Sequence, residues 1–196
     1  MDAGLYKLGY FPALSPGDDP GYEPGTDEAF RHDGTFAVDA GDGWSRLRVG
    51  VPRAGVELLL NLAGILEGPF KLLYIVFARP IGIESGRYES AGWLSLGEIT
   101  ETLNAYAEML ERDGRHAIWV MSETGQVIYD QHEMLFFYGP VATAQELIET
   151  LGFIPGDPRV PSPHVHHYHD VYDSQSEAFV RSREWLWSEL REGDDP

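Results

Sequence analysis

The segment from Arg115 to Gly139 constrains the fold more than any other part of the chain. RHAIWVM (115–121), QVIYD (126–130) and MLFFYG (134–139) are three short runs rich in β-branched and aromatic residues, the composition that suits pleated, half-buried strands. SETG separates the first two runs and QHE the last two. A parallel crossover needs about a dozen residues or more, so runs this closely linked must pair as an antiparallel meander.

The flanking segments extend this frame. TFAVD (35–39) and WSRLRVGV (44–51) have strand patterning, with Leu47, Val49 and Val51 on one face and Arg46 and Arg48 on the other. AGDG between them suits a hairpin turn. VPRAGVELLLNLAGILEG (51–68) is apolar nearly all round and reads as a buried helix begun near Pro52 and ended by Gly68. FKLLYIVFAR (70–79) reads as a central strand stopped by Pro80. Two capping boxes, Ser95 with Glu98 and Thr143 with Glu146, mark two further helices. A last helix is expected from Ser174, boxed with Glu177 and carrying Phe179, Leu186, Trp187 and Leu190. Residues 81–93 and 153–172 read as loops.

The resulting order is β-β-α-β-α-β-β-β-α-loop-α. Strands and helices do not alternate regularly, which disfavours a doubly wound parallel sheet. The expected fold class is α+β, a single domain over residues 1–196. Its expected core is an antiparallel sheet of about five or six strands with helices packed mainly on one face. A Pro/Gly/Asp-rich loop or arm is expected at 12–34 and a short acidic tail at 192–196.

Composition narrows the chemistry. The chain has no cysteine, which removes disulfides, thiolate metal sites and cysteine nucleophiles. No secretory signal precedes Pro12. The longest uninterrupted apolar run, LLYIVFA (72–78), is far short of a membrane span. A cytoplasmic protein without a membrane partner is the expectation. Thirty-two Asp and Glu against fourteen Lys and Arg give a formal charge of −18. Such a field repels nucleic-acid phosphate and speeds encounter with a basic partner. The Walker loop, G-x-G-x-x-G, G-x-S-x-G and H-E-x-x-H motifs are missing.

The chemistry-bearing stretch is PSPHVHHYHD (161–170), which holds four of the seven histidines. Pro161 and Pro163 bias it toward extended backbone. There His164 and His166 point one way and His167 and His169 the other. Either pair supplies two imidazoles to zinc or another divalent transition metal, with His132, Asp130, Glu133 or Asp170 as third ligand. The competing reading leaves the imidazoles hydrogen-bonded or solvated, with Tyr168 and Tyr172 anchoring the loop. Arg115, His116, Asp130, His132 and Glu133 are expected near strand ends at one rim of the meander, as acid–base groups or as a salt-bridged edge. Arg87 and Tyr88 in GRYES form an anion clamp or ordinary loop packing. Trp185 and Trp187 lie on different sides of the expected last helix, so one of them can mark a contact surface.

Two functions follow as expectations. The first is a non-enzymatic acidic binding protein that occludes a basic protein partner, most concretely an immunity-type inhibitor of a toxin, using Tyr168, Tyr172, Trp185, Arg87 and Tyr88 and needing no cofactor. The second is a metal-dependent hydrolase built on the His164–Asp170 cluster with His132. A nucleic-acid mimic ranks last, because the carboxylates are dispersed along the chain.

Overall fold

A computed structural model describes residues 5–14, 17 and 26–194. The remainder of the expected arm, 15–16 and 18–25, and the last two residues of the tail lie outside that set. The strands are Leu8–Tyr10 (β1), Glu28–Ala29 (β2), Thr35–Gly41 (β3), Trp44–Gly50 (β4), Lys71–Val76 (β5) and Gly86–Ser90 (β6). They continue with His116–Ser122 (β7), Gly125–Tyr129 (β8), Met134–Tyr138 (β9), Ile154–Pro155 (β10), His164–His166 (β11) and Trp185–Ser188 (β12). The helices are Gly55–Ala63 (α1), Leu96–Ala105 (α2), Ala107–Arg112 (α3), Val141–Thr150 (α4) and Asp173–Arg181 (α5).

The class is α+β, but the single antiparallel sheet of five or six strands is overturned. The strands form a nine-stranded sheet in the order β10-β3-β4-β9-β8-β7-β5-β6-β12 and a three-stranded sheet in the order β11-β1-β2. The large sheet is mixed, because β10 runs parallel to β3 while its other neighbours pair antiparallel. The 115–139 meander forms as β7-β8-β9 at its centre.

The missed strands have physical reasons. β6 is GRYES, whose alternation is real but polar: Tyr88 and Ser90 are buried, Arg87 and Glu89 are not. β10 and β2 are two residues long and show no periodicity of their own. β12 replaces the second half of the expected last helix. α5 stops at Arg181, where the Ser182 hydroxyl bonds the Phe179 carbonyl at 2.7 Å. Trp185 to Ser188 then pair with Ser90 to Arg87 of β6, so aromatic strand preference and a waiting edge win over helical spacing. The Ser95–Glu98 capping box is formed. α4 instead begins at Val141 behind Pro140, two residues before Thr143, and has no side-chain cap.

Alternation along the central strands divides the sheet into two faces. Leu47, Val49, Leu72, Tyr74, Ile118, Val120, Val127, Leu135 and Phe137 join Leu59 and Leu62 of α1, Ile99 and Leu103 of α2, Leu110 of α3, Ile148 of α4 and Phe179 of α5 in one continuous core. Leu73, Ile75 and Ala117, and separately Ile128, Met134 and Phe136, form smaller apolar clusters on the other face. Among the described residues, no helix is long and apolar enough to cross a membrane.

Candidate metal centre

The β8–β9 turn presents His132. Asp130, which is buried, organises that turn: its Oδ1 accepts the backbone N–H groups of His132 at 2.9 Å and Met134 at 2.8 Å. Glu133 takes the left-handed conformation, φ 59°, that closes the turn. His164 and His166 come from β11, two residues apart and hence on one face. β11 is fixed by antiparallel pairing to β1, with His166 opposite Leu8 and His164 opposite Tyr10.

These elements bring three imidazoles together. Ring centroids lie 5.2 Å apart for His132 and His164, 4.8 Å for His132 and His166, and 5.2 Å for His164 and His166. Their ligand atoms all fall within 4.8 Å of one another. Three donors about 2.1 Å from one ion in tetrahedral geometry lie about 3.4 Å apart, a spacing of the same order as the one these atoms hold. The three can hold a metal ion.

The surrounding acceptors set the tautomers. His132 Nδ1 lies 3.0 Å from Asp130 Oδ2, and a carboxylate only accepts, so Nδ1 carries the proton. His164 Nδ1 lies 2.8 Å from the Pro161 carbonyl, which likewise only accepts. In a neutral ring the lone pair then sits on Nε2 of each. A carboxylate or carbonyl behind a ligating imidazole fixes ring orientation and raises ligand basicity. His166 Nδ1 is buried without a hydrogen-bond partner. Burial, and secondarily the neighbouring imidazoles, push His166 down to about 4, so its ring is neutral at pH 7, as a ligand must be.

The other histidines of the run face elsewhere. His167 Nε2 lies 2.6 Å from Asp27 Oδ2, which also accepts from the Tyr6 hydroxyl at 3.1 Å. His169 Nε2 lies 3.0 Å from the Tyr6 carbonyl. Both tie the segment to the chain around β1 and β2. Of the proposed third ligands, Asp130 supports His132 from behind, Glu133 lines a cavity of about 550 Å³ with Tyr6, Arg31, Arg53 and Tyr129, and Asp170 is exposed at the start of a 3-10 turn.

The expected acid–base rim is divided. Asp130 and His132 belong to the centre above. Arg115 and His116 lie in a separate buried network. Arg115 bonds Asp113 at 2.6 Å and Asp173 at 2.6 Å. His116 meets the Tyr74 hydroxyl through Nδ1 at 2.8 Å and Ser176 Oγ through Nε2 at 3.3 Å. Burial pushes His116 down to about 3 and keeps it neutral.

Of the partner-contact residues, Arg87, Tyr88 and Trp185 come together on the paired strands β6 and β12, with the Tyr88 and Trp185 rings 6.5 Å apart, while Tyr168 and Tyr172 belong to the histidine segment. Tyr168 is exposed, whereas Tyr172 is buried with its hydroxyl on Glu108 at 3.3 Å. Tyr88 is buried and donates to the Glu84 carbonyl at 2.8 Å. Arg87 is ion-paired with buried Asp194 of the acidic tail. Trp185 packs on the core beneath the Arg183 guanidinium, 5.5 Å from its ring.

Sequence reasoning missed Lys7. It is fully buried, and its ammonium donates to the carbonyls of Asp130 at 2.6 Å and Leu110 at 3.1 Å over the Tyr129 ring. Burial pulls Lys7 down and Glu133 up from their ordinary ranges. A lone lysine in a short, largely apolar stretch, LYKLGY, was the available signal. No protein-family model, curated protein or solved structure matches this chain.

Proposed function

We propose that the protein is a metal-dependent hydrolase whose centre is His132, His164 and His166, with Zn²⁺ the first choice of ion. One observation carries this reading: three imidazoles from two distant segments converge, and an acceptor on Nδ1 orients two of them. Three neutral imidazoles leave a fourth position open, which is the donor count of catalytic zinc sites, whereas structural sites close with four ligands. A bound ion of this class supplies a hydroxide nucleophile at neutral pH by lowering the pKa of its water. The chain's own part is to hold the ligands. Asp130 keeps His132 in the required tautomer, the Pro161 carbonyl does the same for His164, and β1 sets the register of β11.

The test is metal analysis of untagged protein prepared without chelator or nickel resin. Turnover of p-nitrophenyl acetate and bis-p-nitrophenyl phosphate is then measured before and after chelation. Near-stoichiometric zinc with chelator-sensitive turnover, both lost in His164→Ala, is the expected result. Stoichiometric metal with no turnover refutes the hydrolase and leaves a metal-binding protein. Absence of uptake at micromolar free zinc refutes both.

A further inference from the structure

The two edges of the nine-stranded sheet differ in kind. At one edge, β10 is two residues long and ends in Pro155, which has no N–H to offer. A short edge carrying proline is a common protection against further pairing. At the other edge, β12 has β6 as its one strand neighbour among the described residues. Half of the N–H and C=O groups of an antiparallel edge strand point away from its neighbour. The strand reads Trp185-Leu186-Trp187-Ser188, with no proline, no lysine and no charge inside it.

The surface around this edge is apolar and acidic. Leu186 is 57% exposed, Trp187 47% and Leu190 41%. Leu186 and Trp187 are consecutive in the strand and so leave opposite faces of the sheet, which makes both faces of this edge apolar. Glu184, Glu189 and Glu192 flank them, against Arg191 as the sole cation of residues 184–192, and all four are exposed. Arg183 is turned inward onto Thr102 and the Trp185 ring. Glu89 lies directly across from Leu186.

We propose that the free edge of β12 docks an extended, basic segment of a partner protein by adding it to the large sheet as a tenth strand. The backbone of the edge supplies the ladder. Leu186, Trp187 and Leu190 take alternate apolar side chains, and the flanking carboxylates select cations. A second copy of this chain is disfavoured as occupant, because each copy carries a formal charge of −18 and the same carboxylates would face one another. The docking edge is independent of the metal centre, which β11 and the β8–β9 turn form elsewhere in the fold.

The experiment follows backbone amides of the full chain by NMR and hydrogen exchange. The probes are a capped peptide of alternating valine and lysine or arginine, and a twin with glutamate at every basic position. Amides of residues 185–188 are expected to shift and to gain about tenfold protection with the basic peptide at about 1 mM. The effect should weaken between about 50 and 500 mM salt and be absent with the acidic twin. Leu186→Lys, at an exposed position, should keep the amide spectrum of the folded chain and lose at least half of the protection. Equal binding of both peptides, no change at 185–188, undiminished binding by the Leu186→Lys variant, or a concentration-dependent dimer of the free chain at this edge would each overturn the proposal.

Discussion

The ammonium of Lys7 donates to the backbone carbonyl of Asp130 at 2.6 Å, while the carboxylate of the same Asp130 meets Nδ1 of His132 at 3.0 Å. A fully buried charge at the residue that leads into β1 and a candidate metal ligand in the β8–β9 turn are therefore joined through one residue. β1 itself carries β11, so both halves of the three-histidine group are positioned from the one segment Lys7 to Tyr10.

Metal affinity should follow this arrangement. His132→Ala, His164→Ala and His166→Ala are each expected to abolish micromolar zinc binding by titration calorimetry. His167→Ala should keep it, since that ring faces Asp27. Asp130→Asn should weaken zinc by roughly 10–100-fold, the usual effect of altering the acceptor behind a ligating imidazole. Loss on His167→Ala with retention in His132→Ala would show that the ion sits elsewhere.

Acid stability should depend on His116. Burial holds its folded pKa at about 3 against 6.5 for the free side chain. Between those values the unfolded chain binds the extra proton, so this group removes stability as pH falls through that window, by roughly 1.4 kcal/mol per pH unit once below about pH 6. Stability lost by His116→Gln at pH 7 should therefore shrink steadily on acidification. Urea midpoints at pH 7, 6, 5 and 4 measure it, and a gap independent of pH would contradict the assignment.

Arg115 is expected to be costly to remove. It joins Asp113 and Asp173 inside the protein, and also donates to the His169 carbonyl at 3.0 Å. Arg115→Ala leaves a buried carboxylate without its cation, a change of about 3–5 kcal/mol. Chemical denaturation should show it, with Arg191→Ala, at an exposed position, near zero as the control.

Gly125 should not tolerate a side chain. It opens β8 at φ 156°, and a Cβ there would run into the backbone carbonyl oxygen of Tyr138 on the paired strand. Gly125→Ala is expected to lose at least about 2 kcal/mol, read as a lowered melting temperature by circular dichroism.

Much of the sheet was legible because its central strands are long and apolar: the 115–139 meander, the 35–51 hairpin and the 70–79 strand are each marked by their own residues. The missed pieces are strands whose identity lies in the neighbour. Ile154–Pro155 is a strand only because β3 passes beside it, and Glu28–Ala29 only because β1 does. Trp185–Ser188 has helical spacing as well as strand composition, and pairing with β6 decides it. The site was half legible. Extended backbone after Pro163 put His164 and His166 on one face and His167 and His169 on the other, and His132 was named among the third ligands. What no local pattern carried was the partner of each face. Asp27 and Asp130 stand 140 and 2 residues from the imidazoles they meet, and only the fold distinguishes such a near contact from such a far one.

The positions of β10 and β12 give the histidine segment a mechanical meaning. They occupy opposite ends of a nine-stranded sheet, roughly 38 Å apart at about 4.8 Å per strand step, yet only residues 156–184 connect them. That stretch leads the chain from one edge of the sheet to the other, and His164 and His166 lie about a third of the way along it, where β11 pairs with β1 and meets the turn that carries His132. An ion held there would add a second tie beside the β1–β11 ladder, so a cut at 156–163 should release a shorter free end in a loaded chain than in a metal-free one.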